Sequence, residues 1–250
     1  MIGYSGYFGA GKTLNMTKDL WSAHKKGAFI ITNYTTTFSH LIVKSQEELL
    51  TVFQEILAMR EQGKFISDVL PDFPKNMKDI YIGVDEAGVY FNARNFKEWS
   101  NFPSIMDFLL QCRKLRVEIF YSVQAVPYVD VNFRRITTEW RVFKRMPLLP
   151  LVSVQEMIIP PDASKFEDGQ VMTSSIKWAG KSDVYDMYDT SELCFKVSED
   201  RSNVPFGVLH KAELNPERVL VKSDSKYNTK NDSPALPSSD GLADANGTGY

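Results

Sequence analysis

The stretch GYFGAGKT, Gly6 to Thr13, carries the densest chemical signal in the chain. Its spacing is G-x-x-x-x-G-K-S/T: glycines that can turn successive backbone N–H groups inward, then a lysine, then a hydroxyl. Such a nest at the start of a helix binds anions, because the amides and the helix dipole face the ligand together. Lys12 is expected to reach the β- and γ-phosphates of a nucleoside triphosphate, and the Thr13 hydroxyl to ligate Mg2+. The contact set expected for ATP is Gly6, Tyr7, Phe8, Gly9, Ala10, Gly11, Lys12, Thr13 and Leu14.

The natural second half is DIYIGVDE, an apolar run that ends in Asp85 and Glu86. Asp85 is expected to hold Mg2+ directly or through water, and Glu86 to polarise an attacking water. An acid next to the metal-binding aspartate points to hydrolysis. Gln124 ends a later apolar run, VEIFYSVQ, where its amide can touch the γ-phosphate or that water. Arg113, Lys114 and Arg116 precede this run, and Arg134, Arg135, Arg141, Lys144 and Arg145 follow it. One of them, Arg141 or Arg134 first, is a candidate finger offered to the γ-phosphate of a neighbouring subunit. The other reading of these charges is a solvated face.

The elements that must position these groups alternate. MIGYS reads as a buried strand, and Leu14, Met16, Leu20 and Trp21 recur at helical spacing up to Gly27. AFIITNY is a strand. SQEELLTVFQEILAMREQG is a helix with a Ser45–Glu48 capping box, an apolar stripe of Leu49, Phe53, Ile56 and Leu57, and Gly63 at its end. VLPDFPKNMK is a loop. PSIMDFLLQCRKL is a helix with Pro103 in its first turn, and WRVFKRM is a further strand. One strand thus separates the glycine loop from DIYIGVDE along the chain, as in ATPases that use a catalytic glutamate. Gly83 is expected to let its strand approach a neighbour closely.

The expected fold is α/β: a P-loop NTPase of the additional-strand, RecA/FtsK-like type, with a parallel sheet flanked by helices. Residues 1–150 form the ATPase core, and 151–221 a small β-containing extension with strands at SVQEMII and SSIKWAG. Residues 222–250, rich in Ser, Asp, Asn and Gly, read as a disordered tail.

Composition excludes several classes. The chain has 250 residues, 43% hydrophobic and 24% charged, with a net charge of −2, so no global basic signature marks a nucleic-acid binder. Its two cysteines, Cys112 and Cys194, and its three histidines, His24, His40 and His210, show no metal-ligand spacing. No apolar run approaches the roughly 18 residues of a membrane helix, and no signal peptide opens the chain, so a cytoplasmic location and no intrinsic membrane span are expected.

The order of the pieces resembles the zonular occludens toxin-like (Zot) ATPases of the FtsK/HerA superfamily of DNA-pumping motors. The resemblance runs from about Ile2 to Glu192. It rests on GYFGAGKT, GAFIITNY, IGVDEAGVYFNAR, and QCRKLRVEIFYSVQAVPYVDVNFRRI with its Arg113, Gln124, Pro127 and Asp130. YDMYDTSE, Tyr185 to Glu192, resembles the Tyr-Asp-Thr stretch that often closes such domains. It implies a hexameric ATPase of a virus or mobile element that moves DNA, double- or single-stranded, through the assembled ring. Coat or membrane-embedded virion components are further implied partners. Members that assemble filamentous phage carry a membrane helix after the ATPase domain. The polar tail here departs from that and favours genome packaging over extrusion. Lys75, Lys78, Arg94 and Lys97 are candidate DNA contacts. An ATP-binding assembly adaptor with little turnover and a nucleotide or small-molecule kinase are the alternatives.

Overall fold

The computed structural model describes residues 1–91, 103–146, 151–158, 170–178, 183–189 and 207–214. Strand β1 (Ile2–Gly6) is buried along its whole length, and helix α1 (Lys12–Lys25) opens one loop later. Met16, Leu20 and Ala23 are its buried apolar stripe, at the spacing a one-sided helix requires. Strands β2 (Phe29–Thr32) and β3 (Leu41–Ile42) follow, then helix α2 (Gln46–Glu61). Ser45 caps α2 by accepting the Glu48 N–H at 3.1 Å. The Glu48 carboxylate accepts from Lys44 N–H at 2.8 Å, so the return arm of the box closes one residue earlier than the motif implies.

A single-turn helix α3 (Ile66–Val69) leads into the proline-containing loop, and β4 (Ile80–Val84) ends at Asp85. Helix α4 (Ala87–Tyr90), helix α5 (Pro103–Leu115), strand β5 (Val117–Val123) and helix α6 (Val131–Ile136) come next. Strands β6 (Glu139–Arg145), β7 (Leu151–Ile158) and β8 (Gln170–Trp178) complete the sheet. The sequence reading missed β3, α3, α4 and α6, since two to six residues are too few to show a period.

Among the described residues these strands form one sheet in the order β3-β2-β4-β5-β1-β6-β7-β8. Pairing is parallel from β3 to β6 and antiparallel in β6-β7-β8. Two strands, not one, lie between β1 and β4 along the chain. The strand that separates them in space is β5, the one that Gln124 follows, with Tyr4 opposite Ser122 and Gly83 opposite Phe120.

Alternation of side chains divides the core between the two faces. Phe29, Ile31, Ile80, Ile82, Ile119 and Tyr121 pack with α2 and α5 on one side. Tyr4, Ile30, Phe120 and Phe143 pack with α1 on the other. Gly83 makes room for α1, not for a strand: a Cβ there would stand 2.5 Å from Leu20 Cδ1. Cys112 is buried in the first core, and burial pushes its thiol up to about 12, which leaves it protonated and inert.

β7 and β8 extend the sheet of the first 150 residues, and later segments return to it. Thr37 N–H donates to Met187 O at 2.9 Å, and Thr36 bridges Tyr188. The Glu55 carboxylate accepts the N–H groups of Val208 and Leu209 at 3.1 and 2.9 Å. The polar stretch 222–250, Cys194, Arg94 and Lys97 lie outside the described residues. Among the described residues no helix is long and apolar enough to cross a membrane.

Candidate functional site

The glycine loop leaves β1 at the carboxyl edge of the sheet. Gly9 (φ 68) and Gly11 (φ 87) both occupy left-handed backbone, which explains why those two positions carry no side chain. Lys12 is only 6% exposed; its Nζ donates to the Tyr7 carbonyl at 3.3 Å and stands 6.0 Å over the Phe8 ring. Burial lowers the Lys12 pKa, and Glu86 and then Asp85 pull against that shift. An ammonium beside the glycine loop and partly stripped of water is set to gain from a polyanion. Tyr7 and Phe8 stand out at the loop tip, 82% and 75% exposed, whereas Ala10 is buried and Leu14 packs against the α1 core.

A helix start and two strand ends then converge on the two acids. Thr13 Oγ1, on the first turn of α1, donates to Asp85 Oδ1 at 2.9 Å. Asn33, just past β2, clamps the Asp85 backbone: its Nδ2 donates to Asp85 O at 2.9 Å and its Oδ1 accepts Asp85 N–H at 2.7 Å. Ser122 on β5 donates its hydroxyl hydrogen to Asp85 Oδ1 and accepts Glu86 N–H at 3.1 Å. One hydroxyl therefore fixes both acids.

Glu86 itself sits at φ 49, ψ 49, a left-handed conformation that a glutamate holds only when its surroundings enforce it. Its carboxylate accepts from Gln124 Nε2 at 3.2 Å. Burial, followed by the nearby Asp85, raises the Glu86 pKa, while Lys12 and the Gln124 hydrogen bond lower it. The net result is a desolvated carboxylate with a strengthened appetite for a proton.

The donor set suits one kind of metal. No group of three or more His, Cys, Asp or Glu able to hold an ion occurs among the described residues. A hydroxyl and a carboxylate that meet at 2.9 Å are what Mg2+ takes from a protein when water and phosphate complete its shell. Thr13 and Asp85 would hold it.

The basic residues divide differently from the sequence reading. Arg113 and Lys114 end α5 and Arg116 follows, at the amino end of β5, opposite the glycine loop. There Arg116 pairs with Asp79 at 2.7 Å. Lys75 and Lys78 precede β4 at the same far edge, so they do not flank Asp85.

Arg141 lies mid-strand opposite Tyr4 and is committed within its own chain. It pairs with Asp19, with Glu139 at 2.7 Å and more weakly with Glu156 at 3.9 Å. Burial opposes its charge, yet Tyr4, Asp19 and Glu139 raise its pKa. An arginine already neutralised this way is poorly placed to reach a neighbouring subunit. Arg134, on α6, has its Nε buried.

Sequence reading missed Asn33 and Ser122, and named Arg145 only as one of the basic residues around VEIFYSVQ. Each stands at or just past the carboxyl end of a strand adjoining the motifs, and that position is the signal that could have found them.

A glycine nest ahead of α1, a Thr13–Asp85 pair and a carboxyl-edge glutamate on a mostly parallel sheet flanked by helices define a P-loop NTPase fold. Residues 3–173 match the family described as Zonular occludens toxin (Zot), and the chain belongs to it. It is similar to the Gene 1 protein of Enterobacteria phage I2-2, 25% identical over 252 residues, covering 89% of this chain and 64% of that protein. It is likewise similar to the Gene 1 protein of Enterobacteria phage fd, 27% identical over 209 residues, covering 75% of this chain and 58% of that protein. The chain thus spans less than two thirds of the length of these relatives. Among solved structures, the N-terminal domain of zonular occludens toxin from Neisseria meningitidis superposes with a TM-score of 0.49 at 21% identity. That match covers 75% of this chain and 97% of the other. The genome packaging NTPase B204 from Sulfolobus turreted icosahedral virus 2 superposes with a TM-score of 0.41 at 13% identity, covering 59% of this chain and 76% of the other.

Proposed function

We propose that this chain is an ATP hydrolase that drives a viral DNA motor, acting in genome packaging or in virion assembly. The observation that carries the reading is Glu86: a desolvated carboxylate, locked by Ser122 and Gln124, beside the Thr13–Asp85 pair. The loop amides and Lys12 hold the phosphate chain. Mg2+, held by Thr13 and Asp85, would supply charge neutralisation at the β- and γ-oxygens. Gln124 and Glu86 orient a water in line with the γ-phosphorus. Glu86 takes its proton as the new P–O bond forms, and the bond to the β-phosphate oxygen breaks to leave ADP and phosphate.

A net charge of −2 makes a lone subunit a poor DNA ligand, so the motor form is a homo-oligomeric ring, hexameric as the family resemblance implies. The test is phosphate release by the assembled protein with and without DNA. DNA is expected to accelerate ATP turnover, and Lys12→Ala or Glu86→Gln to abolish it. An oligomer whose hydrolysis ignores DNA contradicts the motor, and tight ATP binding without turnover identifies an assembly adaptor.

A further inference from the structure

Strand β6 runs parallel to β1 with Gly6 opposite Phe143, so the residues after Phe143 overhang the glycine loop. Arg141, Phe143 and Arg145 share one face of β6, because alternate residues do. Phe143 identifies that face: it packs with Tyr4, Phe120 and the α1 residues. Arg145 is therefore on the side from which α1 and its loop approach. Its Nη1 lies 3.8 Å from the point where a Cβ would stand on Gly9, so the guanidinium sits beside the loop at van der Waals range.

The two arginines of this face contrast sharply. Arg141 is enclosed by Asp19, Glu139 and Glu156. Arg145 is exposed, and none of the ion pairs among the described residues includes it. It is a cation outside every ion pair of the described residues, beside a loop whose backbone is arranged for a polyanion, while Lys12 starts the helix behind that loop.

We propose that Arg145 is a phosphate-binding residue of its own subunit's nucleotide site, closing the nest from the β6 side rather than reaching into a neighbour. This rests on the nucleotide-binding reading above. A guanidinium fork matches two phosphate oxygens at once, a geometry that an ammonium lacks.

The experiment uses the full chain, diluted until light scattering shows one chain per particle, so that a contact made in trans contributes nothing. Wild type, Arg145→Ala, Arg145→Lys and Lys12→Ala are titrated with pyrophosphate and with ADP by calorimetry, and thermal melts confirm folding. Arg145→Ala is expected to weaken both ligands about tenfold, and Arg145→Lys to restore part of that loss. Equal affinities in wild type and Arg145→Ala overturn the assignment. Binding that is lost in Lys12→Ala but kept in Arg145→Ala removes Arg145 alone. A wild-type chain that binds neither ligand removes the nucleotide site and Arg145's role with it.

Discussion

The carboxyl edge of β1, β4 and β5 and the outer arm of β7 and β8 belong to one sheet but are held by different forces. At the edge, Thr13, Asn33, Asp85, Glu86, Ser122 and Gln124 are joined across strands by side-chain hydrogen bonds. Half-buried charge is tolerated there because each group has a partner. On the arm, Val171, Met172 and Ile176 stand 52%, 60% and 63% exposed, and backbone pairing does most of the holding. The difference separates two jobs. The edge fixes reacting groups through direct hydrogen bonds, whereas the arm's exposed face asks little of its side chains.

Short of replacing Lys12 or Glu86 themselves, Ser122→Ala should show the largest effect. It frees both acids at once, so turnover is expected to fall by about tenfold or more, with the Mg2+ concentration for half-maximal rate rising. A mutant with wild-type Mg2+ dependence would mean that Asn33 and Thr13 suffice to position Asp85. Gly3→Ala comes next and probes packing instead of chemistry. A Cβ there would meet the ring of Trp140 at 2.6 Å, and a fully buried indole cannot move aside freely. Denaturant melts are expected to show a loss of about 1–3 kcal/mol.

The Glu86 shift gives a smaller signal with a definite sign. Its folded pKa is raised, so its contribution to stability is fully present below the ordinary carboxylate value and is lost as pH rises through the folded value. Glu86→Gln is therefore expected to melt above wild type at neutral pH, with the gap closing on acidification. A mutant that melts lower at neutral pH contradicts a desolvated Glu86. Smallest of all, Met172→Ser and Ile176→Ser should each change stability by less than about 0.5 kcal/mol and leave ATP turnover without DNA unchanged. A loss above about 1 kcal/mol would erase the contrast between arm and edge.

The parts legible in sequence were those with a period or a spacing. β1, α1, α2, β4, α5 and β5 follow from apolar repeats, and the loop and acids from the spacing of Gly6 to Thr13 and of Asp85–Glu86. Ser122 was hidden because a serine in a buried strand looks like any small residue until β5 is placed between β4 and β1. Strand order depends on pairings between residues far apart in the chain, which no local pattern encodes. The surroundings of the arginines were hidden for the same reason. Composition shows eight basic residues around β5, but only the register decides that Arg116 meets Asp79, that Arg141 meets Asp19 and that Arg145 meets the loop.

The central claim is that Glu86 acts on water while the Gly6–Thr13 loop holds the nucleotide. Glu86→Gln separates these roles most directly, measured as ATP affinity beside phosphate release on the same Mg2+-loaded preparation. ATP is expected to bind the variant at least as tightly as wild type, with turnover reduced by about a thousandfold. Turnover in Glu86→Gln within a few-fold of wild type would contradict the account.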